Sequence, residues 1–134
     1  MKVLETDYWC LLLPAEWFAS HEENTVRITD QDDVGELAIT ALCKETGAVT
    51  SQELSAMSRD ESPEVEHWEP AVVGAFSGVT GAFIEDDAAI REWYLGAESV
   101  LLYVSYLCHV EDSGLDDASV DEILGTLVLG DSAR

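Results

Sequence analysis

Hydrophobic and polar residues alternate in short bursts along most of this chain, and the densest burst runs from Ser99 to Cys108. Alternation puts Val100, Leu102, Val104, Tyr106 and Cys108 on one face and Leu101, Tyr103 and Leu107 on the other, with only Ser105 interrupting. A strand that is apolar on both faces is normally covered on both, so this one is predicted in the middle of a sheet. Gly96-Ala97-Glu98 reads as a short hairpin connection joining it to a preceding strand, Ile90–Leu95.

Similar patterns recur upstream. Tyr8 to Leu13 predicts a first strand, stopped by Pro14, and Pro14-Ala15-Glu16-Trp17 reads as a turn that tucks Trp17 onto the core. Thr25 to Thr29 alternates, and Gly35 to Cys43 is a second two-faced strand, giving a meander of three strands in the first third. Thr50 and Glu53 have the spacing of a capping box, in which hydroxyl and carboxylate each satisfy a free amide, so a short helix is predicted from Ser51 to about Arg59. Ser62-Pro63 and Glu64-Val65-Glu66 would end it as an exposed linker. Glu69 to Phe76 reads as a strand starting near Pro70, and the glycines between Phe76 and Phe83 suggest a bulge or bend. Glu85-Asp86-Asp87 is a hairpin tip. After an acidic loop from Glu111 to Asp117, Ser119 and Glu122 form a second capping box. Val120, Ile123, Leu124, Leu127 and Val128 then make an apolar helical stripe. No internal repeat or low-complexity segment is present.

Composition changes this picture mainly through charge. At 134 residues, 47% hydrophobic and with four tryptophans, the chain is expected to be one domain, 1–134, with a single core. Its net charge is −22. Up to His67 there are 15 acidic and 4 basic residues, and beyond it 13 and 2, so each half carries −11 and the charge is no tail. Such a field repels nucleic acid and anionic membranes and attracts a basic protein; solubility, or adaptation to a salty cytosol, is the plainer reading of the same charge. No apolar run approaches the ~20 residues of a membrane span. Leu11-Leu12-Leu13 is too short for a signal peptide and follows acidic residues, so a cytoplasmic protein is expected. Cys10, Cys43 and Cys108 lack metal or redox spacing and are expected as buried, reduced thiols.

The candidate chemistry is thin. Asp30-Gln31-Asp32-Asp33-Val34-Gly35 resembles a calcium loop in its glycine, but position 5 is Val34 and position 12 is Ala41, so the bidentate ligand is missing. His21, His67 and His109 are isolated, and Cys108 and His109, as strand neighbours, point to opposite faces. Gly74, Gly78 and Gly81 form neither a nucleophile elbow nor a phosphate loop. No catalytic residue, cofactor site or metal ligand is therefore assigned. Trp93 is expected in the core and Trp68 on the surface.

The order of features, rather than any one motif, carries a resemblance. A strand runs into Pro14-x-x-Trp17, strands and a short helix follow, and then come Arg91-Glu92-Trp93-Tyr94, Leu101 to Cys108 and a terminal helix through Leu127. In this the chain resembles the PsbP-like α/β/α sandwich proteins, a group that includes the Ran-binding Mog protein and several bacterial families. It is similar in pattern to the bacterial cytosolic members. The resemblance implies an α+β fold, a largely antiparallel sheet of about six to seven strands with helices packed on both faces, and a protein that binds other proteins without catalysis. The function expected is a non-enzymatic interaction module, of the immunity or inhibitor type, meeting a basic partner. Its candidate contacts are Asp30, Asp32 and Asp33, then Glu85, Asp86 and Asp87, then Glu111 and Asp112, with Trp68. The alternative is a small metal-binding or hydrolytic domain using Asp/Glu clusters. Nothing in the sequence specifies an oligomeric state.

Overall fold

The computed structural model describes residues 1–133. The chain forms β1 (Lys2–Glu5), β2 (Trp9–Leu13), β3 (Trp17–Glu22), β4 (Thr25–Asp30), β5 (Gly35–Cys43), α1 (Ser51–Glu61), β6 (Glu69–Val73), β7 (Phe76–Glu85), β8 (Ala88–Ala97), β9 (Val100–His109), α2 (Asp117–Leu124) and β10 (Val128–Leu129). All pairings are antiparallel. Seven strands make one sheet in the order β3-β4-β5-β9-β8-β7-β6, and β1-β2-β10 make a second, smaller one.

The densest hydrophobic burst is β9, and it is the fourth of the seven strands. Its two apolar sets separate as alternation requires. Val100, Leu102, Val104, Tyr106 and Cys108 enter the main core, where they meet Trp93 and Leu95 of β8, Leu37 and Ile39 of β5, residues of the small sheet and Val120, Ile123 and Leu124 of α2. Leu101 and Tyr103 face the other side, where Leu54 of α1 and Tyr94 of β8 close a second cluster. Trp93 is buried at 3% exposure, with the Arg91 guanidinium 4.6 Å from its ring centre.

A sandwich with helices on both faces does not form. Two short helices provide too little surface to cover a sheet of seven strands. The main core is instead closed largely by the three-stranded sheet, with the eight-residue α2 beside it, and α1 crosses only part of the opposite face. The architecture is two antiparallel sheets with two helices.

Local differences have local causes. The Pro14–Trp17 turn forms, closed by the Trp17 amide donating to the Pro14 carbonyl at 3.0 Å, and Trp17 is buried; the same residue also opens a strand not expected from the sequence, β3, which pairs with β4 along its whole length. The Thr50 capping box forms: the Glu53 amide donates to Thr50 Oγ1 and the Thr50 amide to Glu53 Oε1, both at 3.1 Å. The Ser119 box does not form, because α2 starts at Asp117 and Ser119 already lies inside it. That helix stops at Leu124; Leu127 still reaches the core through a turn, and Val128 pairs with Cys10 of β2. No bulge interrupts β7, whose pairing to β8 is continuous from Ser77 to Glu85. Its glycines serve close approach: a Cβ on Gly81 would lie 2.4 Å from Val65 and 3.0 Å from the Trp68 ring. The predicted linker is accordingly anchored by buried Ser62 and Val65. Of the cysteines, Cys108 is buried and Cys10 is half-buried, but Cys43, the last residue of β5, is exposed.

Candidate partner-binding face

Antiparallel pairing decides where the acidic loops go. Gly35 pairs with Cys108, His109 with Ala88 and Ala88 with Glu85. The β4–β5 loop, the β7–β8 turn and the segment after β9 therefore share one end of the seven-stranded sheet. That end gathers Asp30, Asp32, Asp33, Glu85, Asp86, Asp87, Glu111 and Asp112. The last two segments are tied together by the Val110 amide, which donates to the Asp87 carbonyl at 2.7 Å, and the β4–β5 loop is closed on itself by the Asp33 amide donating to the Asp30 carbonyl at 3.1 Å. Asp33 and Asp86 take left-handed backbone (φ 53° and 55°), which aspartate tolerates better than most residues. Most of these carboxylates are exposed; Asp30 is half-buried, and its Oδ1 has no hydrogen-bond partner among the described residues.

The face of the sheet that carries α1 leads into this end. Across neighbouring strands the register aligns Phe83, Ile90, Leu107 and Glu36, and Leu107 is 49% exposed. The helix sits further along, over Tyr94 and Leu101, leaving this apolar row open beside the acidic rim.

Between them lies a groove of about 580 Å³, lined by Met57, Glu61, Ser62 and Glu64 at the helix end and by Leu42, Phe83, Glu85, Glu92, Tyr94, Leu101 and Tyr103 of the sheet. No lysine, arginine or histidine is among its lining residues. Glu92 is only 6% exposed. Its Oε2 accepts the Tyr103 hydroxyl, and its Oε1 is buried without a partner among the described residues. Burial, reinforced by that carboxylate, pushes the Tyr103 phenol far above its ordinary value, so it remains a donor. Tyr94 is likewise raised, chiefly by burial, and its hydroxyl is 2.7 Å from Ser62 Oγ, joining the end of α1 to the sheet. The Tyr94 and Tyr103 rings pack at a tilt of 52°, 5.0 Å between centres.

Trp68 is not a surface aromatic. It is half-buried, edge-on to Tyr94 at 5.6 Å, and its indole N–H is buried without a partner among the described residues. The room that Gly81 leaves in β7 lets it lie down on the sheet.

On the opposite face the polar groups are committed. Arg91 reaches Asp117 at 3.2 Å and Asp121 at 3.0 Å, pinning α2 to β8. The buried Tyr106 hydroxyl donates to buried Asp116, whose neighbourhood and burial push the phenol strongly up, burial first. The Cys108 thiol is raised mainly by burial, which keeps it protonated and a poor nucleophile. His109 is exposed and accepts from the Glu111 amide at 3.2 Å, while Cys108 points into the core, so the two form no pair. Among the described residues no group of three or more His, Cys, Asp or Glu is arranged to hold a metal ion. No helix among them is long and apolar enough to cross a membrane.

Sequence reasoning found the loops but missed Glu92, Tyr94 and Tyr103 as a group. The available signal was a glutamate set between arginine and tryptophan inside an otherwise apolar strand pair.

No family model and no curated protein matches the chain. Solved structures do. A cyanobacterial PsbP (CyanoP) from Synechocystis, determined in solution, is similar with a TM-score of 0.65 and 11% identity over 96% of this chain and 91% of that one. A crystal structure from Bacteroides thetaiotaomicron is similar with a TM-score of 0.67 and 14% identity over 94% of this chain. The chain spans about half of that protein, 46% of its length. The fold is PsbP-like.

Proposed function

We propose that this chain is a non-enzymatic interaction module of the bacterial cytoplasm that binds a basic protein, in the manner of an inhibitor or immunity protein. One observation carries the reading: three acidic segments distant in sequence converge on one end of the sheet, beside an open apolar row at Phe83, Ile90 and Leu107. A charged rim around an apolar patch is what steered association uses, the rim raising the encounter rate and the patch holding the docked partner.

The test compares two variants with equal loss of charge. One replaces Asp32, Asp86, Asp87 and Glu111 by their amides; the other does the same at Glu5, Glu45, Glu98 and Glu122, away from that end. A basic protein recovered from native lysate at low salt should bind the second variant like the wild type. It should bind the first with a lower association rate and a flatter salt dependence. Equal weakening by both sets, or recovery of no basic protein, overturns the proposal.

A further inference from the structure

We infer that the groove beside α1 is an anchor pocket for one guanidinium group, an arginine side chain presented by the basic partner, with Glu92 as its counter-charge. The inference rests on the interaction reading above and names the chemistry at the middle of that surface.

Glu92 carries the argument. A carboxylate at 6% exposure normally has both oxygens satisfied, because an unpaired buried acceptor is costly. Here Tyr103 serves one oxygen and nothing described serves the other. The groove that Glu92 lines supplies what a guanidinium uses. Its faces are aromatic, at Phe83, Tyr94 and Tyr103, and further carboxylates stand at Glu61, Glu64 and Glu85. A guanidinium is planar and weakly hydrated, can stack on a ring and can donate to two carboxylates at once; an ammonium is compact and strongly hydrated. An aromatic cleft with carboxylates at its floor and rim therefore favours arginine over lysine. The rival occupant of the free oxygen is the buried Trp68 indole N–H, which also lacks a partner and lies across Gly81 from Glu92.

The experiment uses the full chain and N-acetyl-arginine methylamide as the probe, followed by amide and tyrosine-ring NMR shifts at fixed ionic strength. Saturable shifts are expected at Glu92, Tyr94 and Tyr103. Glu92→Gln should weaken the probe about tenfold, the scale of a lost charge-assisted contact, and the lysine analogue should bind more weakly than the arginine one. Should Glu92→Gln fail to fold, the exposed pair Glu61→Gln/Glu64→Gln gives the same reading. It should weaken the probe several-fold, while Glu5→Gln/Glu122→Gln, with equal charge loss, leaves it unchanged. Non-saturating shifts spread over all acidic loops overturn the pocket. So does unchanged affinity in Glu92→Gln, or equal binding of the lysine analogue. A Trp68→Phe variant that binds the probe more tightly supports the pocket, by showing the indole competing for Glu92. If a basic protein binds but the probe does not, the anchor fails and the interaction reading stands; if the probe binds and no basic protein does, the reverse holds.

Discussion

Replacing Gly35 by alanine tests the packing around the central strand, because two physical rules give opposite signs. Gly35 opens β5, and its backbone is not in the left-handed region, so alanine brings no dihedral strain. On that ground alone the change should stabilise by about 0.4–1 kcal/mol, through a less flexible unfolded chain. The structure predicts the contrary. A Cβ there would stand 2.2 Å from Tyr106 Oη, 2.4 Å from its Cζ and 2.8 Å from the Leu107 carbonyl oxygen. None of these can yield cheaply, since the tyrosine is 3% exposed, its hydroxyl is held by Asp116, and the carbonyl belongs to the sheet. Overpacking costs about 1–3 kcal/mol. Pushing the phenol away from Asp116 strands a buried acceptor for about 1–3 more. The net expectation is a loss of about 2–5 kcal/mol, read as a lower urea midpoint at unchanged slope by tryptophan fluorescence. Tyr106→Phe removes the nearest atom, so Gly35→Ala should cost less in that background, with a coupling of at least ~0.5 kcal/mol. A neutral or stabilising Gly35→Ala, or an equal cost in both backgrounds, would refute the reasoning.

Two further expectations follow from single residues. Trp93→Ala removes a buried ring that also carries the Arg91 guanidinium, and should cost about 3–5 kcal/mol in chemical denaturation; a change within ~0.5 kcal/mol would place the ring outside the core. Glu53 is held below its ordinary 4.5, first by the hydrogen bond from Lys44 and then by those from Thr50. A carboxyl depressed in the folded state contributes stability that is present above its unfolded value and lost as pH falls through the folded one. The melting-temperature gap between wild type and Glu53→Gln should therefore be full at pH 7 and shrink from about pH 5 downward. A gap independent of pH would show that the capping carboxylate does not act through its charge.

Much of this fold is written in residues whose two neighbours along the strand face different surroundings. β9 was legible as the central strand because both of its faces are apolar, and α1 because the capping-box spacing of Thr50 and Glu53 is followed by the apolar pair Leu54 and Met57. β1 and β3 left weak patterns for a physical reason. Only Leu4 is buried in β1, and only Trp17 is buried in β3. Edge strands solvated on both faces over most of their length carry little alternation. The end of α2 was over-read because Leu127 is buried, yet it enters the core from a turn, and burial alone does not distinguish the two. The acidic loops could be listed from sequence, but their convergence follows from strand order. Glu92 was illegible for the same reason: only pairing places it opposite Gly81 and Ser105 and beside Tyr103.

The pairing of β10 with β2 fixes when this protein can finish folding. Thr126 accepts the Leu12 amide across 114 residues, and Val128 and Leu129 complete the ladder on Cys10 and Trp9. The hairpins β3–β4 and β7–β8 can close locally while the chain is being made, but the small sheet cannot, because the whole seven-stranded sheet lies between its strands β2 and β10 in the sequence. Until then β2 offers a bare edge, with Leu11 and Leu13 lacking their cover from α2. A product truncated before Thr126 would leave that edge open to proteases and chaperones.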